Sequence, residues 1–248
     1  MAAIRPAIRS IVGPWAAAGA SLAFAAGLFA LRPDLALVEH VVFVGADYAP
    51  SAELRHASQV RNGTRMWEIW PQAVAKRVEA HPWVERAEVA LVWPNTLLIR
   101  VKEHEPLAVL HHGGTWYVDA SGVVFAEADP DHMDLPHLTG LTPDLAELHP
   151  DLPAVALASA VDLLLALEAK GLVHPADVSE IHFSRTAGWT VTVGPSRLLF
   201  GLGGRDRQLD HLGALMMRKP DLTARSTEVD LAPRQLAVVR PHLSFRPL

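Results

Sequence analysis

The sequence predicts an α+β protein: a single N-terminal transmembrane helix, then a small strand-helix-helix-strand-strand domain, then a mixed β-sheet domain with flanking helices. Three observations predict it. Residues 11–31 contain no charged side chain. The β-rich runs after residue 35 outnumber the segments with helical spacing. The segments with helical spacing fall in two places, a close pair before residue 82 and two longer helices after residue 150.

Ile11–Leu31 reads IVGPWAAAGASLAFAAGLFAL. As a helix it spans roughly 30 Å, the thickness of a bilayer's hydrocarbon core. Arg5 and Arg9 precede it, whereas Arg32, Asp34 and Glu39 nearly cancel behind it. The positive-inside bias therefore places a short tail, residues 1–10, in the cytoplasm and everything after Arg32 outside. The alternatives are a cleaved signal and a buried core helix. A cleaved signal has a shorter apolar core and an Ala-x-Ala-like site, and no such site follows before Arg32 and Pro33. Pro14 falls in the first turn, where its missing donor costs least.

Composition agrees. Half of the 248 residues are hydrophobic and mean hydropathy is +0.18. The formal net charge of −5 gives no reason to expect a nucleic-acid partner. There is no cysteine, so the outer domains must hold together by burial alone.

The first outer domain is expected over residues 32–107. Leu37–Val44 is a β-rich run ended by Gly45. A short helix follows Pro50, and Arg61-Asn-Gly63 is a turn. A second helix runs from Pro71 to about Ala80, with Val74 and Val78 on one face, until His81-Pro82 stops it. Trp83 is expected in the core, so Trp83→Ala should cost roughly 3–5 kcal/mol. Exposure would instead make it part of a partner or membrane surface. Val89–Trp93 and Leu97–Lys102 alternate around Pro94-Asn95, a hairpin whose second strand has one apolar and one charged side. Two helices on one face of three strands complete a small domain.

Several stretches here, in this order behind one apolar run, resemble the POTRA domain of the FtsQ/DivIB cell division family. They are Val41-Val-Phe-Val-Gly45, Asn62-Gly63 with Met66-Trp67, His81-Pro-Trp-Val84, Ala87-Glu-Val89, Trp93-Pro94, Leu97-Leu-Ile-Arg-Val101, and Glu103-His-Glu-Pro-Leu-Ala108. The family usually carries arginine where this chain has His104.

The second outer domain is expected over residues 108–248. Leu107–Leu110, Trp116–Val118 and Val123–Phe125 read as strands around turns at His111–Gly114 and Asp119–Gly122. Leu135–Gly140 leads toward Pro143 and Pro153. A helix from about Ala154 to Lys170 has Gly171 as its C-cap. Val178–Phe183, Trp189–Val193 and Leu198–Phe200 are strands, and a helix over Arg205–Arg218 buries Leu209 and Leu212. Val229–Leu231 and Leu236–Val239 close the chain as β-like runs. Tyr117-Val-Asp119 with Gly122–Phe125, Leu135-Pro with Leu138-Thr-Gly140, and Val229-Asp-Leu231 resemble the C-terminal domain of the same family. Ala232-Pro233 stands where the family has Arg-Tyr.

Enzyme chemistry finds no support in the motifs. His111, His112, His132, His137 and His149 form neither HExxH nor a helical pair with an acidic third ligand, so no metal is expected. Gly201-Leu-Gly-Gly-Arg-Asp206 lacks the spacing of a dinucleotide or P-loop and reads as a turn into a helix. Ser121 and Ser159 sit in no nucleophile elbow. No catalytic residue, cofactor or small-molecule substrate is expected.

The resemblance implies a noncatalytic connector of the divisome. It would join early division proteins to FtsB-like and FtsL-like partners and, through them, to septal peptidoglycan synthesis, in the bacterial inner membrane at the septum. A membrane-anchored scaffold or sensor outside cell division is the alternative. The final strand is expected at a sheet edge, whose free N–H and C=O groups must be covered or used. The resemblance carries Gln235, Leu236, Ala237 and Val239 onto the FtsB-docking edge, and Arg234 and Arg240 flank it. Pro233 stands where the family often has a contacting tyrosine. An ordinary strand packed under the tail 241–248 is the other reading of the same residues.

Overall fold

The structure, a computed structural model, describes residues 36–129, 134–142, 144–145, 150–232 and 237–241. The apolar run 11–31 therefore lies outside the described residues. The chain divides into two compact units between Glu103 and His104.

The first unit is β1 (His40–Val44), α1 (Ser51–Ser58), α2 (Pro71–Val78), β2 (Val84–Val92) and β3 (Thr96–Glu103). β3 is central, with β1 parallel to it on one side and β2 antiparallel on the other. The β2–β3 pairing is the hairpin read from alternation, and Leu97, Ile99 and Val101 point to one buried face. Both helices cover that face: Leu54 from α1 and Val74 and Val78 from α2 join the same core. Pro50 precedes α1 rather than forming its first residue, and Pro71 opens α2 as the fixed φ of proline favours. Gly45 has φ +81°, and a Cβ there would meet the Val101 carbonyl oxygen at 2.4 Å, so only glycine fits this exit from β1. The loop after it is held by Glu103, whose carboxylate accepts from the backbone N–H groups of Asp47, Tyr48 and Ala49 at 3.0, 2.9 and 2.7 Å.

Trp83 departs from expectation. It is half-buried at the margin of the core and stacks on exposed Tyr48 with ring centroids 4.9 Å apart. Its neighbour Val84 takes the buried position at the start of β2.

The second unit is β4 (Pro106–His111), β5 (Thr115–Asp119), β6 (Val124–Glu127), β7 (His137–Thr139), α3 (Leu152–Ala169), β8 (Val178–Ser184), β9 (Gly188–Val193), β10 (Ser196–Phe200), α4 (Arg205–Arg218), β11 (Thr227–Asp230) and β12 (Val238–Pro241). The strands form one sheet in the order β12-β11-β10-β9-β8-β7-β4-β5-β6. The segment 135–140 contains β7, which lies parallel to both β4 and β8 and joins the antiparallel strands β4–β6 to the strands β8–β12. Gly140 ends it with φ +81°, pressed against the Phe183 backbone.

α3 is long and apolar enough to cross a membrane by length and composition. In the fold it is a core helix: Ala160, Leu163, Leu164 and Leu167 pack with Ile181, Val191 and Leu198 of the strands. A helix apolar on most sides is suited to such a buried place. It ends in a Schellman motif, with Gly171 N–H donating to Glu168 O (2.8 Å) and Leu172 N–H to Leu167 O (2.9 Å). α4 adds Leu209 and Leu212 to the same core.

Candidate partner-docking edge

β12 is the last strand of the sheet, paired antiparallel with β11 alone among the described residues. Its seat is built from β10 outward. Ser196, fully buried at the start of β10, places its hydroxyl among the carbonyls of Leu222, Thr223 and Arg225 and the hydroxyl of Thr227. That cluster fixes the turn entering β11, and the Thr227 hydroxyl also donates to Leu222 O at 2.9 Å. β11 then runs parallel to β10, with Val229 buried, and ends where the Asp230 side chain accepts from the Ala232 N–H at 3.0 Å.

The direction of the backbone groups follows from one bond. Leu231 N–H donates to Leu199 O in β10 at 2.9 Å. Alternation along a strand therefore turns Val229 and Leu231 toward β10, and Glu228 and Asp230 toward β12. Their register partners are Arg240 and Val238, which face back to β11. The backbone N–H and C=O of Val239 are left facing the open edge, with Ala237 and Pro241 in the same phase. Pro241 has no N–H, and an edge is where a strand tolerates that loss.

The side chains alternate in the other direction. Ala237 and Val239 are half-buried and pack on the core. Val238 and Arg240 belong to the opposite face, where His137, Glu180, Thr192, Arg197, Glu228 and Arg240 form one row across the sheet by register. The row ends in Arg197, Glu228 and exposed Arg240, alternating in charge up to the edge.

Of the residues expected on the docking edge, Arg234, Gln235 and Leu236 lie outside the described residues, as does Pro233. Ala237 immediately precedes β12, and Val239 and Arg240 are in it. The strand thus begins two residues later than Leu236 and extends through Arg240 to Pro241. Val238 was not among the expected residues. Its pairing with Asp230 turns its backbone to β11, so it is not an edge residue; four apolar residues in a row carry no alternation to set that phase.

The glycine loop and three of the histidines have their places in the fold. In the glycine loop, Gly204 (φ +79°) precedes α4, and buried Gln208 donates to Gly203 O at 3.1 Å. His111 Nε2 and His137 Nδ1 lie 2.7 Å apart, and His112 Nδ1 donates to Leu141 O. His132 and His149 lie outside the described residues. Among the described residues no three His, Cys, Asp or Glu side chains are grouped to hold a metal ion.

Residues 36–104 match the domain family described as "POTRA domain, FtsQ-type", and residues 107–231 match "Cell division protein FtsQ/DivIB, C-terminal". The chain belongs to the FtsQ/DivIB family of cell division proteins. FtsQ membership takes the place of the generic scaffold reading. Similar curated proteins, each named Cell division protein FtsQ, come from Geotalea daltonii, Salinibacter ruber and Myxococcus fulvus. The first is 30% identical over 166 residues, covering 66% of this chain and 60% of the relative. The second is 34% identical over 181 residues, covering 71% and 66%. The third is 27% identical over 241 residues, covering 92% and 83%. The matched part of the Geotalea FtsQ is thus less than two thirds of its length. The C-terminal family match stops at Leu231, so β12 lies beyond it.

Proposed function

We propose that this FtsQ-family chain is a non-enzymatic assembly protein of the divisome. Residues 11–31 hold it in the inner membrane at the septum, with residues 1–10 cytoplasmic and both units outside. It links early division proteins to an FtsB/FtsL-type complex and through it to septal peptidoglycan synthesis. The FtsB-like partner adds a strand beside β12. The observation that carries this reading is the outward-facing backbone of Val239 on an edge strand with no lysine to guard it. A strand laid there meets Arg240 at the end of the charged row, which favours an acidic partner residue at that register. Confinement by the anchor raises the effective concentration of the outer units for other anchored partners.

Two experiments test the reading. A reporter active only outside the cytoplasm, fused after Leu248, should be active while the protein resists alkaline extraction from membranes; a soluble product removes the anchor. The outer fragment, residues 32–248, should bind the outer part of the FtsB-like protein from the same organism. Ala237→Pro and Val239→Pro each delete an outward donor and spare the bonds to β11. Both should lose binding with little change in circular dichroism. Undiminished affinity in the folded variants contradicts strand addition.

A further inference from the structure

Three exposed tryptophans lie at one end of the first unit, and it is the end at which the chain enters. Trp67 is 48% exposed, Trp70 75% and Trp93 55%. They belong to two separate loops that meet the entering segment. Val38 N–H donates to Thr64 O and Gly63 N–H to Val38 O, both at 2.8 Å, and Leu37 bridges Arg65, which sets the Trp67–Trp70 segment beside residues 37–38. Glu39 and His40 N–H both donate to Asn95 O, at 2.9 and 3.2 Å, which sets the Trp93 turn beside residues 39–40. The parallel register of His40 with Thr96 puts the start of β1, the end of β2 and the start of β3 at this same end. The opposite end holds Val44, Val84 and Glu103, from which the chain leaves for the second unit.

On either side of Trp67, Met66 and Ile69 fill the core, so the tryptophans are turned out where the neighbouring apolar residues are turned in. Large apolar groups clustered on a surface signal a contact. Indole suits one surface in particular, because its apolar ring and single N–H donor match the boundary between acyl chains and headgroups. Leu37 follows the last residue of the uncharged run, Leu31, by six positions. Fully extended, that chain reaches at most about 20 Å. The acids nearby are engaged within the unit: Glu68 pairs with Arg65 at 3.2 Å, and Glu39 accepts from the Asn95 amide at 2.6 Å. Arg61 adds a cation at this end, and the paired Arg65 lies 5.9 Å from the Trp67 ring.

We infer that Trp67, Trp70 and Trp93 form an interfacial foot by which the first unit rests on the outer leaflet beside its own anchor. The foot fixes which end of the unit meets the membrane. It rests on the reading of residues 11–31 as an anchor.

The test uses the full chain carrying Trp15→Phe, so that no tryptophan remains in the anchor. It is reconstituted in phosphatidylethanolamine–phosphatidylglycerol vesicles whose acyl chains are brominated near the headgroups. Bromine quenches only indoles within reach of the acyl region. Part of the tryptophan emission should be quenched relative to unbrominated vesicles, and the quenched part should vanish in Trp67→Phe/Trp70→Phe/Trp93→Phe. Trp70→Phe alone, at the most exposed of the three positions, should lose a fraction of it and serves should the triple variant misfold. Protein that stays with the vesicles after alkaline washing but shows no quenching, or quenching equal in parent and variants, overturns the foot and leaves the anchor standing. Protein released by the wash overturns both.

Discussion

Glu103→Ala should loosen the first unit through one carboxylate. Glu103 Oε2 accepts from Asp47 and Tyr48 N–H, and Oε1 from Ala49 N–H at 2.7 Å. Asp47 and Tyr48 are exposed, so water can replace the lost acceptor there at small cost. Ala49 is 3% exposed, and its N–H would be left without an acceptor. An orphaned buried donor costs about 1–3 kcal/mol, and with two weaker charge-assisted bonds lost the sum is about 2–3 kcal/mol. That corresponds to roughly 30- to 150-fold faster opening. Hydrogen exchange of peptides spanning β1 and β3 in the fragment 36–248 reads the opening of this unit by itself, which a single melting curve of a two-unit chain does not. Glu103→Gln keeps one acceptor oxygen and should lie between the two. Acceleration in Glu103→Ala of less than about threefold would mean that the three bonds add nothing net to what solvent supplies, and would refute the reasoning.

Three further substitutions follow from the packing. Gly140→Ala places a Cβ 2.1 Å from the Phe183 carbonyl oxygen at a φ of +81°, so the second unit should lose about 3 kcal/mol or more in urea denaturation. Ser196→Ala leaves the carbonyls around the β11 turn short of a donor and should cost about 1–2 kcal/mol, with partner affinity falling as well because β11 carries β12. Trp83→Ala, at a half-buried site, should cost about 1–2 kcal/mol, below the range for a fully buried tryptophan, and the Tyr48 stack should disappear from near-ultraviolet circular dichroism.

The elements most legible in the sequence are those whose signal is local. β2 and β3 alternate around Pro94-Asn95, and α2 and α4 carry apolar residues at helical spacing between a clear start and stop. β7 was not legible because three residues cannot show a period, and its existence depends on β4 and β8 accepting it in parallel from distant parts of the chain. Trp83 was misplaced for a related reason: an apolar residue between a helix and a strand is a core candidate by sequence, but Val84 one position on fills the core. At the proposed docking edge the sequence shows an unguarded apolar run over Leu236–Val239. Its phase, and so the identity of Val239 as the outward residue, depends on the register with Thr227–Asp230 and on the bond from Leu231 to Leu199.

The amide of Val239 tests the central claim most directly. In the free fragment, residues 32–248, it faces the open edge, whereas the amides of Val238 and Arg240 face β11. Residue-resolved hydrogen exchange by NMR should therefore find Val239 fast and its two neighbours slower. Saturating FtsB-like partner should slow Val239 strongly and change Val238 and Arg240 little, because only the outward amide gains a new acceptor. Binding that leaves the Val239 amide as fast as in the free fragment would contradict docking by strand addition at β12.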